Sequence, residues 1–485
     1  MSRGDARVLP GLLFALGAAL SGFTILQGVG PHDEGLMLQA GARIASGQWP
    51  YRDFWMNYPP GQPLVLAALQ ELFGASLLAW RVVRTLTDAG VGVLVFLLVR
   101  DRAPRWVALL GWLAAAGALA WPTGPGPNPP ALLLCLGALL AAARKRPLLA
   151  GALAGLAFGF RFELGLAAIL GVLVLATPAS RRRCAACAAA GALIPIVSFL
   201  AVGPGALWQD TFGFYGIQAL QRLPFPLTYH GSFKPDKLLE LYAPAILVAG
   251  VAVWAAGVVR RRDRLQLALA PILLVSLAYL LGRTDEFHLV PLAAVLPLAL
   301  GSLVPHGNLT STGVTALLAL ALIALHGVDR RAEALLHPFA GAAVPGPAGD
   351  GVQTTPADAT ALRGLEQALG TLTRPGEAIF VANPHHDLVH AGDPLLYVVL
   401  GHPNATRYDV MQPGLLTTAP VQREIVGELA HTRVVIRWLD PRASLVEAND
   451  AGRSSGVHIL DRYLAANFTP RARYGYYALL TRTAR

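Results

Sequence analysis

Long apolar runs, separated by short polar segments, fill this 485-residue chain up to about residue 328. A helix needs about 20 apolar residues to cross a bilayer, whose core accepts only backbone that satisfies its own hydrogen bonds. Only 14% of the residues are charged, against roughly 25% in an ordinary soluble domain. The chain is therefore predicted to be a polytopic α-helical membrane protein.

The apolar runs predict about eleven transmembrane helices. Two of the runs, 147–160 and 164–178, are short and predict a tight hairpin. The predicted spans are 8–27, 82–99, 105–121, 129–143, 147–160, 164–178, 184–202, 240–259, 265–281, 289–304 and 313–328.

From Asp329 onward the charge density becomes that of a globular protein. Helical patterns alternate there with short apolar strand patterns, which is typical of a small α/β domain. We therefore predict a transmembrane domain over 1–328, a linker over 329–356 and a soluble α/β domain over 357–485.

Arginine and lysine cluster between the apolar runs, and alternating the spans puts the clusters on one side of the membrane. Cytoplasmic loops are the ones rich in Lys and Arg. The N-terminus is therefore predicted to be cytoplasmic and the C-terminal domain extracytoplasmic, in a bacterial inner membrane. The net charge of +10 then reflects topology and not a nucleic-acid surface. The clusters are Arg3/Arg7, Arg100/Arg102/Arg105, Arg144-Lys145-Arg146, Arg181-Arg182-Arg183 and Arg260-Arg261-Arg262/Arg264.

The loop after the first span contains two short amphipathic patterns. In the first, Leu36, Ala40 and Ile44 share one helical face. The second begins near Pro63 and ends near Gly74. Neither is long enough to span, so both are predicted to lie along the outer membrane interface, with the aromatic residues between them.

Several segments bring ionisable residues to the outer ends of the spans. Each of these residues has a simple alternative interpretation, namely that it marks where a helix meets water. Ionisable groups at membrane depth are costly and are functional candidates by default, and their convergence on one side favours a site. They are Asp33, Glu34, Arg161, Glu163, Arg283, Asp285, Glu286 and His288.

The loop after the first span also carries a recognisable motif. It contains Asp33-Glu34, then Gly47-Gln48-Trp49-Pro50-Tyr51-Arg52-Asp53-Phe54, then Tyr58-Pro59-Pro60-Gly61. This pattern resembles the GT-C membrane glycosyltransferases, and in particular family 39, the dolichyl-phosphate-mannose–protein mannosyltransferase-like family. That family includes bacterial aminoarabinose and lipopolysaccharide-core sugar transferases. The resemblance extends to the many spans and the C-terminal domain, whereas the specific motif covers this loop alone.

The resemblance implies an inverting transfer of a sugar from a polyprenyl phosphate to an extracytoplasmic glycolipid, glycan or protein. An inverting displacement needs a carboxylate to take the proton of the acceptor hydroxyl, which Asp33 or Glu34 can do. Neighbouring residues of a helix point about 100° apart, so the two are not expected to face one acceptor together. The resemblance selects Asp33 as the base and Glu34 as a supporting group.

The leaving phosphate needs cations, and arginine binds phosphate through paired hydrogen bonds. Arg52, Arg161 and Arg283 are the predicted phosphate-binding residues. For Arg52 the alternative is an extended side chain that reaches lipid headgroups. For Arg161 the alternative is a salt bridge with Glu163.

The remaining candidates are predicted to bind substrate. Some relatives carry an ionisable residue before the Pro-Pro pair, and some hold a metal there together with a histidine from a later loop. This chain has Asn57-Tyr58 at that place, so no required metal is expected, although a divalent cation is possible. The substrate-binding candidates are Tyr51, Asp53, Asn57, Tyr58, Glu163, Asp285, Glu286 and His288.

Two patterns in the C-terminal part add weaker hypotheses. The group His385, His386, Asp387 and His390 invites a metal site, but no completing ligand is evident, so a loop with satisfied histidines is favoured. The segment 406–409 is polar and aromatic and is a candidate for contact with an acceptor.

Two other functions fit a chain of this kind. A polysaccharide polymerase or ligase also works on lipid-linked sugars outside the cell, but its donor is a diphosphate and the loop motif argues against it. A transporter or flippase places its charges near the bilayer midplane, often in repeated halves, whereas here the charges lie at the outer ends of the spans.

Overall fold

The structure, a computed structural model, describes residues 5–121, 123–124, 126–200, 202–213, 216–217, 219–225, 235–261 and 263–483. Of the predicted basic clusters, Arg3 and Arg262 lie outside these residues. The first part of the described chain is helical. Its helices are α1 (Asp5–Gly22), α2 (Asp33–Ala45), α3 (Gly61–Phe73), α4 (Leu77–Val99), α5 (Arg105–Leu119), α6 (Asn128–Ala143), α7 (Pro147–Phe158), α8 (Phe162–Leu175), α9 (Pro178–Leu200), α10 (Pro204–Leu207), α11 (Pro235–Arg261), α12 (Arg264–Gly282), α13 (Glu286–Gly301) and α14 (Ser311–Leu336).

A helix lies at each predicted span, including the short hairpin of α7 and α8. Apolar helices of 10–17 residues accompany the longest ones. This confirms a membrane protein built of helices. The helices long and apolar enough to cross a membrane are Leu77–Val99, Leu239–Val259, Arg264–Gly282 and Ser311–Leu336.

The core of the helical part is rich in alanine. Ala114, Ala131, Ala154 and Ala168 are fully buried between helices, beside larger leucine and valine side chains. In a bilayer, lipid is as apolar as leucine, so helices associate through close packing, which small residues permit.

A four-stranded mixed sheet forms the centre of the C-terminal part. Its order is β3-β4-β6-β5, with β3 parallel to β4 and the other neighbours antiparallel. A separate antiparallel pair, β1 and β2, precedes it. The strands are β1 (Ala342–Ala343), β2 (Gln353–Thr354), β3 (Phe380–Ala382), β4 (Val434–Trp438), β5 (Phe468–Tyr474) and β6 (Tyr477–Arg482), and the helices are α15 (Pro356–Leu372), α16 (Leu395–Leu400), α17 (Ala419–Glu428) and α18 (Ile459–Asn467).

The segment between the helical part and this sheet is structured. Helix α14 continues to Leu336, and β1 and β2 follow it. The backbone amide of Gln353 donates to the carbonyl of Leu26 at 2.7 Å, which joins this segment to the turn that follows α1.

Helix α2 and the loop after it pack against the C-terminal part. Tyr51, Phe54 and Trp55 are buried in one apolar core with side chains of the sheet. Protein, and not lipid, therefore covers these aromatics and the apolar face of α2, whereas their predicted position at the membrane interface stays a prediction. The cause is physical: an amphipathic face can be covered by lipid or by protein, and periodicity does not distinguish the two. Helix α3 is different, because Leu72 and Phe73 stay exposed.

Two contacts hold α2 against the C-terminal part. Arg43 and Asp409 form a buried ion pair at 2.7 Å, and Arg43 also donates to the carbonyl of Thr406. At Gly35, a β-carbon would lie 2.3 Å from the backbone nitrogen of Leu395. Only glycine permits this approach, which brings the start of α2 next to the loop before α16.

Candidate active site

Glu34 is held in a buried network at the start of α2. Arg81 of α4 donates from Nε and Nη2 to the two carboxylate oxygens of Glu34, at 2.7 and 2.9 Å, and both side chains are fully buried. Arg81 also donates to the carbonyls of Ile25 and Gly28, and the amide of Gly30 donates to Glu34. Because these partners saturate Glu34, the network orients the turn that leads to Asp33 and leaves Glu34 unavailable as a base.

Asp33, the first residue of α2, is the exposed member of the acidic pair. Its carboxylate forms no hydrogen bond or ion pair with any residue that the structure describes. Burial raises the pKa of Tyr58 to about 12, and the nearby negative charge of Asp33 adds to that shift. The carboxylate of Asp33 is therefore without a partner among the described residues, and its charge acts on the Tyr58 phenol.

A cavity of about 650 Å³ is lined by Tyr58 but not by Asp33. Its walls are largely apolar and come from α8 and α12, whereas arginine, histidine and amide groups line the rest. It brings together the motif loop (residues 47–61), the α7–α8 hairpin and the end of α12. The lining residues are Asn57, Tyr58, Pro59, Arg161, Phe162, Glu163, Thr211, Ala219, Gln221, Arg222, Val275, Ala278, Tyr279, Leu281, Gly282, Arg283 and His288.

One backbone contact places the motif loop beside the hairpin. The amide of Gly61 donates to the carbonyl of Gly159 at 2.8 Å. A β-carbon at Gly61 would lie 2.4 Å from that oxygen, so the last residue of the Tyr-Pro-Pro-Gly motif must be glycine for the contact to form. The contact sets Tyr58 next to Arg161, whose guanidinium lies 5.8 Å from the Tyr58 ring centroid.

Arg161 is bound on several sides. Its Nε donates to Glu163 at 2.6 Å, so the salt bridge considered from the sequence is present. Its guanidinium also lies 4.8 Å from the ring centroid of Tyr279. Both charged side chains still line the cavity, and the aromatic faces hold the guanidinium in one orientation.

Arg283 joins the helical part to the C-terminal part. Its Nε donates to Asp285 at 2.5 Å, Nη1 donates to Glu447 at 2.8 Å, and Nη2 contacts the same Glu447 carboxylate. Asp285 caps α13 by accepting from the amide of His288 at 2.9 Å. Arg283 is therefore neutralised from both sides where it meets the cavity.

The His288 ring lies between Asp285 and Tyr279. Its Nδ1 is 2.6 Å from a carboxylate oxygen of Asp285, and its ring centroid is 4.5 Å from that of Tyr279. Desolvation alone would raise the pKa of Asp285, but the hydrogen bonds with His288 and Arg283 lower it to about 2. Asp285 is thus a permanent anion that orients His288.

Seven predicted residues do not line this cavity, namely Asp33, Glu34, Asp285, Arg52, Asp53, Tyr51 and Glu286. Arg52 is 53% exposed and pairs with Asp53 at 2.8 Å, because both point outward from a turn whose other side chains are core residues. Glu286 turns to Arg330 of α14 at 2.6 Å. Tyr51 is buried, and its hydroxyl donates to the carbonyl of Tyr58 at 2.5 Å. Arg52, Asp53, Tyr51 and Glu286 are thus not placed to contact a ligand in this cavity.

Sequence reasoning missed two residues. Arg222 lines the cavity, is exposed, and forms no hydrogen bond or ion pair with the residues that the structure describes. Its segment offers no motif that would have singled it out. Arg81, the partner of Glu34, did carry a signal, since Arg81, Arg84 and Asp88 are ionisable residues within or beside a predicted span.

Across the described ranges, one group of histidine, cysteine or acidic side chains has the spacing for a metal ion. It consists of Asp387, His458 and Asp461, with ligand atoms within 4.8 Å of one another. The Nδ1 of His386 lies 2.7 Å from a carboxylate oxygen of Asp461, but its buried Nε2 has no hydrogen-bond partner among the described residues, so this histidine is only partly satisfied. None of these residues lines the cavity of about 650 Å³.

Comparisons with known proteins agree with this arrangement. The model of Glycosyltransferase family 87 matches residues 55–284, from the motif loop to the last cavity-lining arginine. No curated protein matches the chain significantly. The narrower resemblance to family 39 stays a prediction.

Solved structures show the same fold over the whole chain. ArnT from Cupriavidus metallidurans in the apo state has a TM-score of 0.55 at 15% identity, with 99% of each chain covered. The same protein bound to undecaprenyl phosphate has a TM-score of 0.52 at 15% identity, covering 100% of this chain and 99% of that one. The archaeal oligosaccharyltransferase AglB from Archaeoglobus fulgidus, in complex with an inhibitory peptide and a dolichol-phosphate, has a TM-score of 0.51 at 12% identity, covering 99% and 74%. The chain therefore has the GT-C fold of these membrane proteins, and its family match supports a membrane glycosyltransferase.

Proposed function

We propose that this enzyme transfers a sugar, with inversion, from a polyprenyl phosphate to an acceptor hydroxyl outside the cytoplasm. The observation that carries the proposal is the cavity of about 650 Å³, because it joins apolar walls to a cationic rim. A polyprenyl phosphate has the complementary halves, an apolar chain and an anionic head. ArnT and AglB, which share the fold, are known in complex with undecaprenyl phosphate and dolichol-phosphate.

In the proposed reaction, the acceptor oxygen attacks the anomeric carbon and the bond from that carbon to the phosphate oxygen breaks. The proton of the acceptor hydroxyl passes to the carboxylate of Asp33, and the phosphate leaves with the bonding electron pair. Asp33 suits this role because it is unoccupied, whereas Glu34 beside it is saturated by Arg81. Glu34 acts by positioning Asp33.

The three arginines that line the cavity have different roles toward the phosphate. Arg161 is oriented by Glu163 and by two aromatic rings, so it presents a fixed charge. Arg283 is already neutralised by Asp285 and Glu447 and serves mainly to hold the C-terminal part at the cavity. Arg222 has no partner among the described residues and is the arginine best placed to bind the leaving group.

The finer topology belongs to the same proposal. The eleven helices at the predicted spans cross a bacterial inner membrane, with the N-terminus inside and the domain from 357 onward outside. The exposed Arg144-Lys145-Arg146 turn between α6 and α7 supports this sidedness. Labelling of single cysteines from the two sides of intact cells tests it: a cysteine at 145 must react only after the membrane is permeabilised.

Donor turnover by the purified protein tests the proposed function. Proteoliposomes receive a radiolabelled sugar on undecaprenyl phosphate or on undecaprenyl diphosphate, with extracted envelope glycolipids as acceptor. We expect the monophosphate donor to be consumed and the label to appear on the acceptor. Turnover of the diphosphate alone would instead identify a polymerase or ligase, and flipping without transfer a flippase. Mass spectrometry of glycolipids, glycans and glycoproteins from a deletion strain then identifies the acceptor.

The Arg222→Ala variant is expected to raise the half-saturating donor concentration roughly tenfold, since a hydrogen bond to a charged group contributes about 1.5–3 kcal/mol and this one is partly solvated. Steady-state kinetics with increasing donor measures the effect. The matched control is Arg52→Ala, which removes an exposed arginine outside the cavity and should leave donor affinity unchanged. If Arg52→Ala weakens the donor as much as Arg222→Ala does, the phosphate lies elsewhere.

Chelation is expected to leave the transfer rate unchanged. The reason is that Asn57 stands where a ligating charge would be needed, and an amide oxygen alone binds a divalent cation weakly. Initial rates before and after treatment with EDTA, with measurement of residual metal, check this. A rate lost on chelation and restored by one added divalent cation would show that a metal is required.

A further inference from the structure

A second cavity, of about 570 Å³, lies on the far side of the motif loop. The two cavities share a thin wall. Thr211 lines the first and Asp210 the second, and the hydroxyl of Tyr51, which lines the second, donates to the carbonyl of Tyr58, which lines the first. The second cavity therefore opens beside the proposed donor site without being part of it.

Unpaired polar atoms line this second cavity. Asp210 is 6% exposed, and its Oδ2 accepts no hydrogen bond from the residues that the structure describes. The Nε of Arg407 is likewise buried without a hydrogen-bond partner among the described residues, and Nη2 of Arg407 lies 3.9 Å from Oδ2 of Asp210, too far for a hydrogen bond. Burial raises the pKa of Asp210 to about 7, although the charge of Arg407 opposes the shift. Buried polar groups normally have hydrogen-bond partners. The acceptor Oδ2 of Asp210 and the donor Nε of Arg407 therefore indicate a ligand that supplies hydroxyl groups.

The same cavity has aromatic walls. Trp208 is 65% exposed, although its ring stacks on Phe212 with centroids 4.8 Å apart. Trp55 and Tyr408 contribute further aromatic surface. A large exposed aromatic beside open polar groups is an amphipathic surface, suited to a ligand with an apolar face and a hydroxylated edge.

The charge of the cavity disfavours a phosphate ligand. Asp210 and Glu424 oppose a single arginine, Arg407, whose Nη1 lies 3.6 Å from Glu424. A pyranose ring fits these features, because its carbon–hydrogen face can stack on tryptophan while its hydroxyls reach the carboxylate and the guanidinium. The volume also falls within the usual range of ligand pockets, roughly 300–1,000 Å³.

We propose that the second cavity is a subsite for a neutral sugar of the acceptor, held by stacking on Trp208 and by hydrogen bonds to Asp210 and Arg407. This inference rests on the proposed function, which it deepens by naming the acceptor as a carbohydrate. It also gives a role to the predicted acceptor segment 406–409. Arg407 and Tyr408 face the cavity, whereas Asp409 is buried in the ion pair with Arg43.

Trp208→Ala and Asp210→Asn test the subsite through the kinetics of each substrate. We expect each variant to raise the KM for the glycolipid acceptor roughly tenfold, the size of one lost stacking or charged hydrogen-bond contact, with the donor KM unaltered. Trp106→Ala is the matched control, because Trp106 is 52% exposed on α5 and lines neither cavity. Equal losses for donor and acceptor, or an unchanged acceptor KM, would overturn the subsite.

Two further readouts separate the possible failures. Quenching of tryptophan emission by methyl glycosides of neutral hexoses is expected in the full-length protein and absent in Trp208→Phe. A peptide acceptor that depends on Asp210 as strongly as the glycolipid does would contradict a carbohydrate ligand. If the unaltered protein consumes no polyprenyl-phosphate sugar, even by hydrolysis in water, the proposed function itself fails, whatever the variants show.

Discussion

Asp33→Asn is expected to lower the rate of sugar transfer by roughly 10²- to 10⁴-fold, the usual contribution of a general base. The amide has nearly the same shape as the carboxylate but cannot take the proton of the acceptor hydroxyl. Asp33 forms no hydrogen bond or ion pair with the described residues that its loss would break, so the fold and donor binding should be retained. Transfer assays with saturating donor and acceptor, beside a thermal unfolding curve, measure both quantities.

The control for this variant is Glu71→Gln on α3. Glu71 is also an exposed carboxylate without a partner among the described residues, but it does not lie at the start of α2. It should leave the rate unchanged. Near-normal transfer by Asp33→Asn would remove Asp33 from the reaction and require another base.

Glu34→Ala and Arg81→Ala are expected to destabilise the protein by about 3–5 kcal/mol each, because each leaves a buried charge without its partner. Both side chains are fully buried and share two hydrogen bonds. The double variant Glu34→Leu/Arg81→Met replaces both charges with apolar groups. It should lose much less than the sum of the single variants. Thermal unfolding in detergent and the yield of folded protein report the differences.

An exposed pair serves as the control for this buried one. Arg52 and Asp53 are joined by two hydrogen bonds as well, but Arg52 is largely solvated. Arg52→Ala should therefore change stability by less than about 1 kcal/mol. If Glu34→Ala unfolds at the same temperature as the unaltered protein, the network does not support the turn before Asp33. The transfer rate of the double variant then shows whether Glu34 also orients that turn for catalysis.

The local pattern of apolar and charged residues was enough to predict the helices and much of the candidate site. Apolar runs of the right length can form little else in a bilayer, so a helix lies at each predicted span. The alternation of spans places the charged residues at the outer ends of the apolar runs on one face of the membrane. Arg161, Glu163, Arg283 and His288 do line one cavity with Asn57 and Tyr58 of the motif. This part of the site follows from short-range order along the chain.

Long-range contacts decided what each charge does. Glu34 and Asp33 are neighbours in sequence, yet Arg81 forms an ion pair with Glu34, whereas Asp33 is exposed. Arg283 meets Glu447, a partner from the C-terminal part that no spacing could reveal. The motif arginine, Arg52, points to solvent, whereas Arg222, from a segment without a motif, lines the cavity.

The sequence by itself determined that the chain is a helical membrane protein, because the bilayer leaves a long apolar segment few other structures. It also indicated Arg161, Glu163, Arg283 and His288, but not Arg222, as residues that gather at one cavity. Only the tertiary structure decided which of those residues are free to bind or react. The reason is that the availability of a charged side chain depends on its partners in space, and those partners lie far away along the chain.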